Sequence, residues 1–217
     1  LMLVFSVSPI LAPLAGSLMV QFGDWRTIFW TIAVIGVLGL LLIAFFLKET
    51  RPASERLESS VGSAMRGYAL LLKDRNFIGL SLIGAFGMSS FMAYLANSSF
   101  ILIDHYHLTP TLYSVMFSIN AVSFIGVSQL TGILTRRFGL NTVVRTSVSG
   151  FIVVMVALAA LFLAGIDQLA VLAVLLFIGY GFLGLVVPTT AVLALENHGT
   201  IAGTASALMG TLQMVTA

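Results

Sequence analysis

Apolar residues run through this chain in long blocks, broken by short polar or charged stretches. The blocks cover about residues 1–22, 27–47, 77–103, 111–134, 143–164, 169–195, and 201 to the end. A stretch of about 20 apolar residues is long enough to cross roughly 30 Å of hydrocarbon as a helix. Inside hydrocarbon every backbone amide needs a partner within its own segment or within a closed barrel, and continuous apolar runs of this length meet that need only as helices. The pattern therefore predicts an all-α, polytopic membrane protein with seven spans, the last partial. The connectors are short, as in Gly23-Asp24-Trp25-Arg26 and residues 104–110 and 165–168, except for one long stretch from Lys48 to Asn76.

The basic residues orient the spans, because loops rich in Lys and Arg stay in the cytoplasm. The long connector holds Lys48, Arg51, Arg56, Arg66, Lys73 and Arg75, and the region after the fourth span holds Arg136, Arg137 and Arg145. Only Arg26 falls on the opposite side. The first segment then runs outward and the long connector lies inside. Within that connector Val61, Met65, Tyr68 and Leu72 recur at helical spacing. That spacing predicts a helix lying in the membrane surface, with an irregular solvated linker as the alternative.

Composition agrees. Hydrophobic residues make up 59% of the 217, charged residues 8%, and mean hydropathy is +1.09; a soluble domain carries about 25% charged residues. The net charge of +2 and the lack of a basic groove interleaved with aromatics exclude a nucleic-acid reading. There are no cysteines, hence no thiolate metal site or Cys nucleophile. The chain opens inside an apolar run without a basic n-region and stops partway along a helix, so we expect both ends to be cut.

The first segment carries Ser8-Pro9-Ile10-Leu11-Ala12-Pro13-Leu14-Ala15-Gly16-Ser17. Each proline removes a backbone donor and clashes with the preceding turn, while Pro9, Ala12, Pro13 and Gly16 share a face small enough for close helix approach. The segment is either a hinge surface or a packing kink. It resembles the antiporter signature G-x-x-x-G-P-x-x-G-G of the fifth helix of major facilitator superfamily drug exporters. Pro13 and Gly16 are retained, and Ser8, Ala12 and Ser17 replace glycines.

Other motifs fit the same resemblance. Trp25-Arg26-Thr27-Ile28-Phe29-Trp30 is similar to the entry of the family's sixth helix, and Glu49-Thr50-Arg51-Pro52 to its exit. Gly132-Ile133-Leu134-Thr135-Arg136-Arg137-Phe138-Gly139 resembles the loop signature G-x-L-x-D-R-x-G, with Arg136 in place of the acid. The charge-relay role of that acid is therefore not carried over. Residues 202–208, Ala-Gly-Thr-Ala-Ser-Ala-Leu, resemble the bicyclomycin-resistance (Bcr/CflA) branch of drug:proton antiporters.

The resemblance implies a truncated fold covering about the fifth to eleventh of twelve helices. Residues 1–47 would be the last two helices of the amino-terminal bundle, 48–76 a cytoplasmic linker with an interfacial helix, and 77–217 the carboxy-terminal bundle lacking its end. It further implies proton-coupled efflux of small amphiphilic compounds by alternating access, in a bacterial inner membrane. Partners would be a small-molecule substrate, protons and the bilayer; the full-length protein would be a monomer without cofactor or metal. Uptake or exchange of a metabolite or sugar, and a non-transporting membrane scaffold, are the alternatives.

A charge at the bilayer centre costs about 2.5–3.5 kcal/mol on insertion scales, and Asp24, Asp104, Asp167 and Glu196 all fall at span ends. A titrating carboxylate is thus expected in other helices. Uncharged polar residues within spans need partners or a wet cavity, which makes Tyr94, Asn97, Asn120, Gln129 and Tyr180 cavity candidates, with interhelical bonding as the alternative. Met88 and Phe91, with Phe86 and Met92 nearby, add the adaptable thioether and aromatic faces of a multidrug pocket; lipid-facing filler is the alternative for each. His105 and His107 with Asp104 fall short of a zinc centre's three or four ligands and read as interfacial polarity. No nucleophile, base and orienter set is apparent, and no enzyme activity is expected.

Overall fold

The computed structural model describes Met19, Gly23–Asp24 and residues 26–47 and 61–216, apart from the side chains of Val61 and Pro110. The helices are α1 (Arg26–Phe46), α2 (Val61–Lys73), α3 (Arg75–Ser99), α4 (Pro110–Gln129), α5 (Thr131–Phe138), α6 (Leu140–Leu163), α7 (Leu169–Leu195) and α8 (Ala202–Thr216). A π-helical turn, Phe100–His105, extends α3, and a 3-10 turn, Gly199–Ile201, leads into α8. No strand occurs among the described residues. Among the described residues five helices are long and apolar enough to cross a membrane: Arg26–Phe46, Arg75–His105, Thr111–Gln129, Leu140–Leu163 and Leu169–Leu195. The first expected span, apart from Met19, lies outside the described residues. The last appears as α8, whose 15 residues extend about 22 Å.

The chain divides into two compact units, Leu1–Ser59 and Ser60–Ala217. In the first, α1 is apolar all round and exposes Phe29, Trp30, Phe45 and Phe46. At its entry the Arg26 guanidinium donates to Asp24 Oδ2 over 2.7 Å.

In the second unit α7 packs against α3, α4 and α6, while α8 packs on α3. Apolar area alone drives little association between helices already dissolved in hydrocarbon; close van der Waals contact and interhelical hydrogen bonds must do so. The glycines of α7 supply that contact. A Cβ on Gly184 would collide with the Phe124 backbone carbonyl of α4, and one on Gly181 would lie 3.1 Å from Ser123 Oγ. Ser123 reinforces the same joint by donating to the Phe177 carbonyl over 2.6 Å. Pro188 sits inside α7 and cannot donate to the Gly184 carbonyl. Just beyond it the buried Thr189 and Thr190 hydroxyls donate to the Leu185 and Val186 carbonyls, at 2.6 and 2.7 Å.

The fourth span ends earlier than the expected 134. The turn at Leu130 stops α4, and α5 follows as a separate short helix carrying Arg136 and Arg137. Gly139, with φ +81°, separates α5 from α6, a conformation open to glycine and strained for other residues. The region read as a loop is therefore helical.

Charge is polarised along this unit. Arg66, Lys73, Arg75, Arg136, Arg137 and Arg145 gather at the end where α3 and α6 begin, together with Asp74 and Glu196. The other end holds Asp104, Asp167, His105 and His107, and no Lys or Arg among the described residues of this unit. At the basic end Asp74 caps α3, its Oδ1 accepting from the Asn76 and Phe77 amides over 2.8 and 3.2 Å. Its Oδ2 lies 3.0 Å from Nε2 of the buried His198, whose ring meets Phe77 edge-on. The Phe77 amide above all, with the Asn76 amide and His198, holds the Asp74 carboxyl below its ordinary range despite partial desolvation.

Replacing Gly184 by Ala should force α4 and α7 apart and destabilise the detergent-solubilised full-length protein by about 1–3 kcal/mol. Gly126→Ala, where the added methyl meets open space, is the matched control; equal melting shifts in the two would refute the close contact. Since the native pKa of Asp74 lies below its unfolded value of about 3.9, its stabilisation is complete above that value and is lost as pH falls through the depressed native one. Asp74→Asn keeps a capping oxygen but does not titrate, so its melting temperature should fall less than the parent's on acidification below pH 4.

Candidate functional site

The residues that come together inside the bundle derive from stripes on three helices. On α3, Phe91, Tyr94 and Ser98 follow one another at spacings of three and four; on α4, Tyr113, Phe117, Asn120 and Phe124 do the same. Such spacings stack side chains on one face of a helix. The third component is Tyr180, in the middle of α7, where Gly179 and Gly181 flank it and keep the neighbouring helices close.

The rings form a continuous cluster. Tyr94 stacks on Phe117 at 5.8 Å between centroids and lies 5.0 Å from Tyr180. Phe91 contacts Phe124 at 6.1 Å and Tyr180 at 6.3 Å, and Tyr113 extends the row at 6.2 Å from Phe117. Two polar bonds cross between α3 and α4. The Asn120 amide donates to the Tyr94 hydroxyl over 3.0 Å, and the Ser98 and Tyr113 hydroxyls share a bond of 3.2 Å. Asn120 is only 3% exposed and Tyr180 only 4%, so the first of these satisfies a donor that hydrocarbon could not.

Beside the cluster a cavity of about 340 Å³ opens between α3, α6 and α7, lined by Tyr94, Asn97, Ser98, Met155, Leu176 and Tyr180, among others. Its wall is apolar and aromatic with a few hydroxyls and an amide. Such a lining holds a neutral or amphiphilic molecule by dispersion and ring contact, with a hydrogen bond to orient it.

Of the sequence candidates, the structure unites Phe91, Tyr94, Asn120 and Tyr180. Asn97 reaches the cavity, but its amide donates to the Ala93 carbonyl over 2.8 Å and the residue is exposed. Met88 is half-buried on α3, outside the ring contacts. Gln129 is exposed at the last residue of α4, nine residues or about 13 Å along the axis from Asn120, and does not join them. Gly132, Arg136, Arg137 and Gly139 lie together on and just after α5, exposed at the basic end. Ser8, Pro9, Ala12, Pro13, Gly16 and Ser17 fall outside the described residues.

Sequence reasoning missed Phe117, Phe124, Tyr113 and Ser98, although their spacing to Asn120 and Tyr94 places them on the same stripes. It also missed a polar cluster at the acidic end. His105 Nε2 lies 2.6 Å from Asp167 Oδ2, and the Tyr106 hydroxyl donates to Asp167 Oδ1. These bonds tie the connector after α3 to the one before α7. The Tyr106 hydroxyl, followed by His105, holds the Asp167 carboxyl below its ordinary range. Partial burial, together with the carboxylate's bond and charge, pushes Tyr106 up to about 12.

Apolar spans around a neutral aromatic interior, with charge confined to the two ends, define a multi-pass helical membrane protein. The model of the Major Facilitator Superfamily matches residues 1–217, and the chain belongs to that family. It is 36% identical to the "Uncharacterized MFS-type transporter YdgK" of Bacillus subtilis (strain 168), over 99% of this chain and 54% of that protein. With the "Bicyclomycin resistance protein homolog" of Haemophilus influenzae identity is 27%, over 97% and 53%. With the "Multidrug resistance protein MdtL" of Escherichia coli O139:H28 it is 28%, over 70% and 38%. The chain thus spans about half the length, or less, of these relatives.

A double-mutant cycle of Tyr94→Phe and Asn120→Ala in the full-length protein should return a coupling of about 0.6 kcal/mol, typical of interhelical bonds in membranes. Additive losses would show that the bond contributes nothing measurable.

Proposed function

We propose that this chain is part of a proton-coupled exporter of drugs or other small amphiphilic compounds, working by alternating access in a bacterial inner membrane. The observation that carries the reading is the uncharged aromatic cluster around the Asn120–Tyr94 bond, set among spans whose ionised residues are confined to their ends. Such an interior suits varied, poorly hydrated ligands. The family membership and the names of the relatives support transport of this kind.

In this reading residues 77–217 contribute one wall of a site near the membrane midplane, and a second bundle supplies the other. Rocking of one bundle against the other exposes the site alternately to each side. Phe91, Tyr94, Asn120 and Tyr180 form part of that wall, with Asn97 at its margin. The linker and the Arg136–Arg137 segment face the cytoplasm, following the basic end. The Pro9–Pro13 segment is the hinge surface. The carboxylate that takes up the driving proton belongs to helices outside the described spans, and the full-length protein acts as a monomer without cofactor.

A substrate drives the change only through different affinities for the two states, so the wall residues should govern which compounds are moved. Drug-sensitive bacteria expressing the full-length protein should gain resistance and accumulate less of a fluorescent dye. Tyr94→Ala should change the spectrum of compounds exported more than the amount of protein in the membrane. Unchanged dye accumulation with the parent protein overturns drug export. An unaltered spectrum in Tyr94→Ala removes the aromatic wall from the site.

A further inference from the structure

The second helix carries three distinct faces. Gly67 and Leu71 are buried, with Ala64 and Tyr68 half-buried beside them. This face docks on the start of α8, where a Cβ on Gly67 would lie 3.1 Å from Thr204 Cγ2, and Leu71 joins Phe77 and Ala205 in one core cluster. The next face holds Met65 and Leu72, which are 63% and 59% exposed. Beyond it lie Arg66 and Lys73, seven residues apart and so on one stripe. The face expected from Met65, Tyr68 and Leu72 is thus largely not the one that docks on the protein.

Position and charge say what covers the exposed faces. The helix sits where α3 begins and α7 ends, at the boundary of the apolar spans. Among the described residues Arg66 makes one bond, from Nε to the Gly62 carbonyl over 3.3 Å, and neither it nor Lys73 nor Arg75 has an acidic partner there. Among the described residues Asp74 is the acid nearest in sequence, and it is already engaged by two amides and His198; Glu55 and Glu58 lie outside the described residues. A protein interior would leave these cations uncompensated, whereas an anionic headgroup layer neutralises them and places acyl chains under Met65 and Leu72.

We propose that α2 is a docked interfacial helix that binds anionic phospholipid headgroups through Arg66 and Lys73, with Arg75 beside them, while Met65 and Leu72 enter the acyl region. The proposal rests on family membership and the placement of α2, and it stands whether or not the substrate is a drug. It makes α2 a lipid-sensing strut: α8 and α3 are held on one side of it and the leaflet on the other.

The given sequence has no cysteine, which favours single-site labelling. The full-length protein, freed of any other cysteine, would carry a fluorophore at Leu72→Cys or Arg66→Cys. It would be reconstituted in phosphatidylcholine vesicles with or without phosphatidylglycerol. The label at 72 should be quenched by lipid brominated on its acyl chains and shielded from aqueous iodide, and the label at 66 should show the reverse. Phosphatidylglycerol retained on the purified parent should exceed that on an R66Q/K73Q variant by about fivefold for each charge removed, with melting temperature unchanged. Iodide access at 72 without lipid quenching, or shielding from both quenchers, would overturn the proposal, the second by showing that protein covers the face. Equal phosphatidylglycerol retention in parent and variant would overturn the headgroup contact.

Discussion

A peptide group in hydrocarbon cannot borrow a hydrogen bond from water, and most of this architecture follows from that constraint. It turns each apolar block into a helix, and it denies those helices the solvent-driven attraction that packs a soluble core. What remains is contact at short range. That is why α7, the helix with the most neighbours, carries glycines where it meets α4 and α6. The Gly184 approach to the Phe124 backbone is the extreme case, and the Ser123 bond to the Phe177 carbonyl locks the same pair of helices about two turns away along α7.

The same constraint decides where polar side chains can sit. Hydroxyls inside the spans mostly return to their own helix, as Thr189, Thr190 and Ser147 do. An amide cannot be satisfied so simply, and Asn120 reaches across to Tyr94 instead. Bonds that cross between helices fix their relative rotation, so the polar pair and the rings stacked around it set the register of α3 against α4. The feature that shapes the candidate wall is therefore also one that holds the bundle together.

How far the chain could be read in advance follows from the range of the interactions. The span from Leu169 to Leu195 was legible residue for residue, because a run so apolar and bounded by Gln168 and Glu196 has one outcome. The α4–α5 break was not, since Leu130 and Thr131 carry no breaker and Ile133 continues the apolar pattern; the helix divides there on the way to Gly139, whose positive φ no pattern announces. Periodicity found α2 and its exposed apolar stripe of Met65 and Leu72, but not the second face, Gly67 and Leu71, that packs on α8, because a hydrophobic stripe does not reveal which neighbour covers it. Tyr94, Asn120 and Tyr180 were found one by one from their cost in hydrocarbon. Their meeting depends on which helices are neighbours, and so do Phe117 and Phe124, apolar residues that raised no flag. His105 and Asp167 lie 62 residues apart, a pairing that only tertiary structure creates.

Segregation of charge has a consequence for any transport cycle built on this fold. The cluster holds no carboxylate, imidazole or amine; its polar groups are the tyrosine and Ser98 hydroxyls and the Asn120 amide. Protonation near neutral pH therefore does not change the charge of this wall. Two described carboxylates stand at opposite ends of this unit, Asp74 bonded to His198 at one and Asp167 bonded to His105 at the other. Each ties together connectors from different helices. Protonation of Asp74 or Asp167, both held below their ordinary range, would weaken those ties and change how the helix ends are held. In the proposed exporter a ligand at this wall would stand apart from those ties, and coupling between the two places would have to be carried mechanically by the helices that join them.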